Sequence, residues 1–330
     1  MRLIKSMFKH SKSKFLLCLR NLIFALLGSG VATANASSWI LLSPPTFPTA
    51  RSYVAMTYDT ASQKTVLFGG YNGTGYLNDT WTFDGTAWTK MKTPTAPPAC
   101  ANAQMAYDIP TKRVVLFGGY NGRQYLGDTW LWDGATLTWT KAAPLHSPPA
   151  VTGPMLFTGP KGRANEFGGY DGNRYQGTMW RWNGSDWIKL HPAMVPYARS
   201  SAAVGLNPLL SQVVMFGGLA DVNPVNTWTF DGTTWTMQSV SNQPPWVYAG
   251  SAAFDSNLKK VILLGGGSGG IDQNSTWAWN GSHWNQLFPM HSATPREGAG
   301  MVYDPGLGHV IVFGGQNGNL LLHDTWEFVP

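Results

Sequence analysis

Charge is scarce in this chain. Asp, Glu, Lys and Arg make up only 12% of its 330 residues, while aromatic residues reach 13%, the reverse of the composition that keeps a chain disordered. Cysteine is scarcer still, with Cys18 and Cys100 alone. A chain cut after its first 36 residues therefore has one cysteine and no internal disulfide. Neither cysteine sits where a lipoprotein anchor would need it. The seven histidines are scattered with no local two-His spacing, so no metal and no other cofactor is expected. There is no phosphate-binding loop and no nucleophile triad. The longest apolar run, 22–32, falls short of the roughly 20 residues of a membrane span.

The formal net charge of +6 does not mark a nucleic-acid protein. Six of the basic residues (Arg2, Lys5, Lys9, Lys12, Lys14 and Arg20) lie in 1–36, which holds no acid, and the rest of the chain balances 17 Lys and Arg against 17 Asp and Glu. No basic footprint remains for DNA or RNA. The basic stretch MRLIKSMFKHSKSK, the apolar stretch LIFALLGSGVA and the triplet Ala34-Asn35-Ala36 together have the pattern of an export signal. The expected organisation is a signal peptide over 1–36, cleaved after Ala36, and one domain over 37–330. The domain would then be exported (periplasmic, extracellular or secreted), with no stable membrane span after cleavage.

Glycine (38) and tryptophan (16) are abundant, and both recur periodically. Glycine pairs end at Gly70, Gly119, Gly169, Gly218, Gly266 and Gly315, every 48–50 residues. An aromatic residue or leucine stands twelve residues before each second glycine (Tyr58, Tyr107, Phe157, Leu206, Phe254, Tyr303), and a tryptophan ten or eleven after it (Trp81, Trp130, Trp180, Trp228, Trp277, Trp326). A period held this tightly indicates a repeat architecture. Each copy reads as four short strands, the last two joined by an Asp-Gly or Asn-Gly turn such as Asp84-Gly85, suited to a tight hairpin. The runs VLFGG and VVLFGG do not alternate, so both faces of that strand should be buried. Radially stacked four-stranded sheets bury both faces. The expected fold is all-β, a six-bladed β-propeller. Its last copy ends at TWEFVP without a fourth strand. Trp39 occupies the register of Trp88, Trp139, Trp187, Trp235 and Trp284, so strand 37–42 should complete the last blade and close the ring.

The segments VLFGGYNG…NDTWTFDGTAW, VLFGGYNG…GDTWLWDGATLTW and VFGGQNG…HDTWEF resemble the kelch repeat. The resemblance covers essentially all of 37–330, with departures in blades three to five: Thr178-Met179-Trp180 lacks the Asp, and Leu264 replaces Phe before its glycines. More distantly, the chain is similar to the propellers of N-acetylneuraminate epimerase and galactose oxidase. The first resemblance implies Arg for a sugar carboxylate and Glu for proton transfer. The second would imply copper held by Tyr and His with a Cys-linked Tyr, a set this sequence does not match.

Loops on a rigid scaffold are the usual seat of binding, and the longer loops (69–79 and 93–101, for example) share one face. Seven residues before the register aromatics stand Arg51, Cys100, Ala150, Arg199, Val247 and Arg296. Arg51, Arg199 and Arg296 suit an anion at the channel mouth, or else hold loop carbonyls together. Glu297, next to Arg296, and Glu166, where other blades carry Leu67, Leu116, Met215, Leu263 and Val312, are the candidate acids; an ion pair with a nearby Arg is the simpler expectation for Glu166. Tyr71, Tyr120 and Tyr170 follow the glycines of three consecutive blades, each with a second tyrosine five residues on (Tyr76, Tyr125, Tyr175) and a neighbouring Asn72, Asn121 or Asp171. They suit a sugar ring or a peptide. The reading is a monomeric, exported binding module that presents its long-loop face to a glycan or protein. The alternative is a sugar-acid epimerase or mutarotase using the channel-mouth Arg and Glu residues.

Overall fold

An apolar run ending in two glycines becomes the second strand of a four-stranded antiparallel sheet, as in Lys64–Phe68 and Arg113–Phe117. The computed structural model describes residues 37–222 and 224–330; the proposed signal peptide and its cleavage site lie outside the described residues. Six such sheets form the blades, and no helix occurs among the described residues. Blade one is Ala55–Asp59, Lys64–Phe68, Thr80–Phe83 and Trp88–Lys90. Blade six takes three strands from the C-terminal end (Gly300–Asp304, His309–Phe313, Thr325–Val329) and its outermost from Ser38–Leu42. That strand pairs antiparallel from Ser38↔Val329 to Leu42↔Thr325. The ring closes as expected.

The core is divided among the seams between blades. Six apolar clusters each draw on two neighbouring blades, for example Val66 and Phe68 with Leu116, Trp132 and Trp139 between blades one and two. Alternate residues of the second strand serve opposite seams: Val66 faces blade two while Leu67 packs with Ile311 and Phe313 of blade six. Both faces are therefore buried, which explains the unbroken apolar run.

Two belts of hydrogen bonds tie blade to blade. In the outer belt, each outermost-strand tryptophan donates its indole N–H to the preceding blade: Trp88 to Thr325, Trp139 to Thr80, Trp187 to Thr129, Trp284 to Thr227 and Trp39 to Thr276, all at 2.8–3.0 Å. The acceptor is the threonine just before each third-strand tryptophan, preceded by Asp in blades one, two and six, by Asn226 in blade four and by Ser275 in blade five. In blade three Met179 replaces it, and Trp235 points at the Met179 sulfur instead.

The inner belt is made of main chain. Tyr53, Asn102, Gly153, Ser201, Ala249 and Gly298 take corresponding places where each blade enters its innermost strand, and all six have φ between 50° and 62°. Each amide donates to the carbonyl of its counterpart one blade earlier, Asn102 to Tyr53, Gly153 to Asn102, and so on to Tyr53, which donates to Gly298, at 2.6–2.9 Å. The circuit is closed. One turn further out, the second glycine of each pair donates to the next blade, from Gly70 to Cys100 O through Gly315 to Arg51 O. Gly70 has φ 104°, and a Cβ there would lie 2.9 Å from Ser52 O, so glycine is required on both counts.

These belts correct one register. Val151, rather than Ala150, donates and accepts in blade three as Cys100 does in blade two. The first hairpin of blade three turns one residue earlier, so Thr158 (paired with Ala164) stands where Tyr58 (paired with Thr65) stands in blade one, and Phe157 moves one place inward.

Deleting 37–42 removes the outer strand of blade six together with the buried Trp39. Loss of a buried tryptophan side chain alone costs about 3–5 kcal/mol, and a domain of this size shifts by roughly 2–4 °C per kcal/mol. Calorimetry of the deletion should show a melting midpoint lower by roughly 10 °C or more; an unchanged midpoint would refute closure by this strand.

Candidate functional site

The central channel is small, about 280 Å³. Its lining includes Tyr53, Asn102, Ser201 and Gly298 of the inner belt and residues of the innermost strands, such as Thr57 and Met155. Over Gly153, Asn102 Nδ2 donates to Ser201 Oγ at 3.3 Å, joining blades two and four.

The three arginines are not among the channel-lining residues. Arg51, Arg199 and Arg296 are buried, 0–1% exposed, in blades one, four and six. Each repeats one pattern. Nε donates to the carbonyl two residues back (Thr49, Tyr197, Thr294) and Nη1 to the first glycine of its own blade's pair (Gly69, Gly217, Gly314). The rest of the fork meets the residue before the Thr-Trp of its own blade. Arg296 grips Asp324 at 2.9 Å through both nitrogens, Arg51 grips Asp79 at 2.6 and 3.1 Å, and Arg199 reaches Asn226 at 3.2 Å. Burial works to raise the carboxyl pKa of Asp79 and Asp324, but the arginine hydrogen bonds and charge outweigh it and hold both below the usual range. Arg199 has no carboxylate partner, and burial draws it down to about 10. These side chains fasten three long loops to their blades, with their donors directed at protein acceptors.

The tyrosines do come together. Tyr71, Tyr76, Tyr120, Tyr125, Tyr170 and Tyr175 form one chain of ring contacts across blades one to three, with successive centroids 5.3, 5.8, 5.1, 6.1 and 5.0 Å apart. Within a blade the two rings are brought together by a β-bridge, as Tyr71↔Tyr76. Between blades, the glycine of the next turn makes the contact: a Cβ on Gly122 would lie 2.7 Å from the Tyr76 ring, and one on Gly172 2.5 Å from Tyr125. Leu321 of blade six takes the place of Tyr76 and lies against Gly73. All six rings are half-buried, while Arg123 and Arg174 stand exposed among them. Asn72, Asn121 and Asp171 turn Oδ1 back to the amides two and three residues on, shaping the loop tips.

Glu297 lies beside the channel-lining Tyr53 and receives its hydroxyl at 2.7 Å and Gln316 Nε2 at 2.9 Å, both on Oε1. Burial raises its pKa, and the Asp272 charge adds to the effect. Sequence reading missed its companions Tyr53, Tyr248, Asp272 and Gln316, which come from loops of blades one, five and six; Tyr248 holds in blade five the place that Glu297 holds in blade six, but the two side chains are unlike. Glu166 is far from this cluster. Its sheet partners Leu156 and Trp180 belong to the apolar seam between blades two and three. It is 1% exposed with Oε2 unpartnered, and the expected ion pair is not formed. Burial raises its pKa well above the ordinary value.

Histidine places no cluster on the face. His146 pairs with Asp186 at 2.8 Å, and among the described residues no three His, Cys, Asp or Glu side chains are grouped to share an ion. No helix among the described residues is long and apolar enough to cross a membrane.

A family model described as the KLHDC2/KLHL20/DRC7 Kelch-repeats domain matches residues 31–193, a span that includes the closing strand and blades one to three. No curated protein matches the chain.

Glu166 makes a pH-dependent prediction. Its folded pKa exceeds its unfolded value, so its stability contribution is whole below about pH 4.3 and is lost as pH rises from there toward the folded pKa. Glu166→Leu, which restores the side chain other blades carry, should raise the melting midpoint at pH 7. It should also remove a decline of up to about 1.4 kcal/mol per pH unit. A variant whose stability tracks the parent from pH 4 to 8 would contradict the buried neutral acid.

Proposed function

Given that the chain belongs to the kelch-repeat propellers, we propose that it is a protein-interaction module whose docking surface is the tyrosine ribbon of blades one to three. The observation that carries this is the unbroken contact chain from Tyr71 to Tyr175. Tyrosines held by their neighbours lose little side-chain freedom on binding, and they offer apolar area with a polar tip. Arg123, exposed between the rings, adds positive charge, and so does Arg174, in part balanced by Asp171 at 3.9 Å. The partner is a protein segment with apolar side chains and at least one carboxylate. A peptide is favoured over a glycan because Asn72, Asn121 and Asp171 spend Oδ1 on their own turns, leaving few acceptors to specify sugar hydroxyls. The sugar-acid epimerase alternative needs a guanidinium free to take the substrate carboxylate, whereas Arg51, Arg199 and Arg296 are buried and already bonded.

Peptides selected on the purified protein from a random display library test this reading. Interface tyrosines cost about 2 kcal/mol or more at hot spots, roughly 30-fold in affinity. Tyr76→Ala and Tyr125→Ala should each weaken a selected peptide at least about tenfold while leaving melting near that of the parent, and Thr111→Ala on the short-loop face should not. Selected peptides indifferent to both tyrosines would remove the ribbon as the docking surface.

Export completes the proposal, resting on the basic stretch, apolar stretch and Ala34-Asn35-Ala36 of 1–36. Intact mass of the protein recovered outside the cytoplasm should begin at Ser37; a mass that retains 1–36 would exclude cleavage there.

A further inference from the structure

Blade five departs from its neighbours at one point on the long-loop face. Where the residue after the glycine pair is Tyr71, Tyr120, Tyr170, Leu219 or Gln316, blade five has Gly267. Two groups from other loops fill the space. A Cβ on Gly267 would fall 2.1 Å from Glu297 Oε2 and 2.8 Å from Tyr248 Oη. From blade one, Tyr53 lies across Gly298, whose Cβ would come within 2.9 Å of its ring, and donates its hydroxyl to Glu297 Oε1. Gln316, which donates to the same oxygen, accepts from Ser52 Oγ at 3.0 Å. Three blades meet at one carboxylate.

That carboxylate is only half satisfied. Glu297 is 6% exposed; its Oε2 lacks a well-formed hydrogen bond, the Tyr248 hydroxyl beside it bonding the carboxylate only weakly. Asp272, paired with Gly267 across the long hairpin of blade five, supplies a second acid, whose Oδ2 accepts the Gly318 amide at 2.6 Å. Neither Glu297 nor Asp272 forms an ion pair among the described residues. Arg296, adjacent in sequence, is engaged with Asp324. Tyr248 packs against Trp246 with centroids 5.7 Å apart and the rings tilted by 49°, and the Glu297 and Asp272 charges, after burial, raise the pKa of both Tyr53 and Tyr248. Two carboxylates are too few ligands for a divalent metal. Two uncompensated carboxylates beside two tyrosine rings complement an organic cation, drawn both by charge and by the ring faces.

We propose that this junction of blades five, six and one binds a protonated primary amine. Its N–H groups satisfy Glu297 Oε2 and Asp272, and its methylenes lie along Tyr53 and Tyr248. The half-exposed Tyr248 ring turns to admit it. A lysine side chain of a partner and a free alkylamine offer the same chemistry. The site shares no residue with the docking ribbon, although both draw on blade one. Glu297 must be ionised to hold the amine, so binding releases a proton below the raised Glu297 pKa and strengthens with rising pH until the amine itself deprotonates near about 10.4.

Isothermal titration of the full protein with n-butylammonium and with Nα-acetyl-lysine methylamide, over a pH series from 4 to 8 in buffers of different ionisation enthalpy, tests the site. The expected result is saturable one-to-one binding that weakens as pH falls, with proton release at the acid end of the series. The norleucine amide should not bind, and Glu297→Gln should lose at least tenfold in affinity. Gly267→Ala, whose Cβ would crowd the Glu297 carboxylate, gives the same loss by an independent route should Glu297→Gln fail to fold. Tighter binding of the lysine amide assigns the site to a partner's lysine, and tighter binding of butylammonium assigns it to a free amine. Absence of saturable heat with either probe, equal binding of the norleucine amide, or unchanged affinity in the folded variants would overturn the proposal.

Discussion

Six amides around the channel mouth, each bonded to its counterpart one blade earlier, set the geometry on which everything else in this propeller depends. The circle demands φ > 0 at six places, and four of the residues there are not glycine: Tyr53, Asn102, Ser201 and Ala249. Left-handed backbone costs roughly 1–2 kcal/mol per such residue, while an intramolecular hydrogen bond returns about 1 kcal/mol net. The circle is therefore close to neutral as a source of stability. Its role is to fix the angle and spacing between blades, while the seams stabilise. Six apolar clusters, each including at least one buried tryptophan from an outermost strand or the strand before it, hold the angles that the circle specifies.

The same geometry builds the long-loop face. Because the second glycine of each pair donates across the seam, the loop that follows it is held by two blades. Tyr76 can then rest on Gly122, and Tyr125 on Gly172. In blades one, four and six a buried arginine pins the loop base to its own blade. The face is divided by charge and by chemistry. Blades one to three present aromatic rings with exposed Arg123 and Arg174, while the junction of blades five, six and one gathers Glu297 and Asp272 with no basic partner among the described residues. Such a division suits a partner that must be oriented as well as held.

Much of this could be read in the sequence, because repeats print their constraints several times. Gly70 and the outermost tryptophans have counterparts in every blade, the Asp84-Gly85 turn has them in blades two to five, and the register of Trp39 gave away the closing strand. What could not be read were relations between unlike positions. The inner circle is invisible because its six members share only a backbone conformation, not a residue type. Arg51 and Asp79, 28 residues apart, appear as a pair only after folding, and Asp128 of blade two has Cys100 rather than Arg at the matching place. The shorter first hairpin of blade three shifted the apparent register from Val151 to Ala150, since counting from the glycines assumes equal turns. The Glu297 cluster joins unlike residues from loops of three blades, so no repeated residue type reveals it.

Amide hydrogen exchange at the channel mouth tests the central role of the circle most directly. The account predicts that the amides of Tyr53, Asn102, Gly153, Ser201, Ala249 and Gly298 exchange with one shared free energy of opening, equal to that of global unfolding, because no member can open without breaking the ring. A graded set of opening energies, with some of these amides exchanging freely while the blades stay folded, would contradict it.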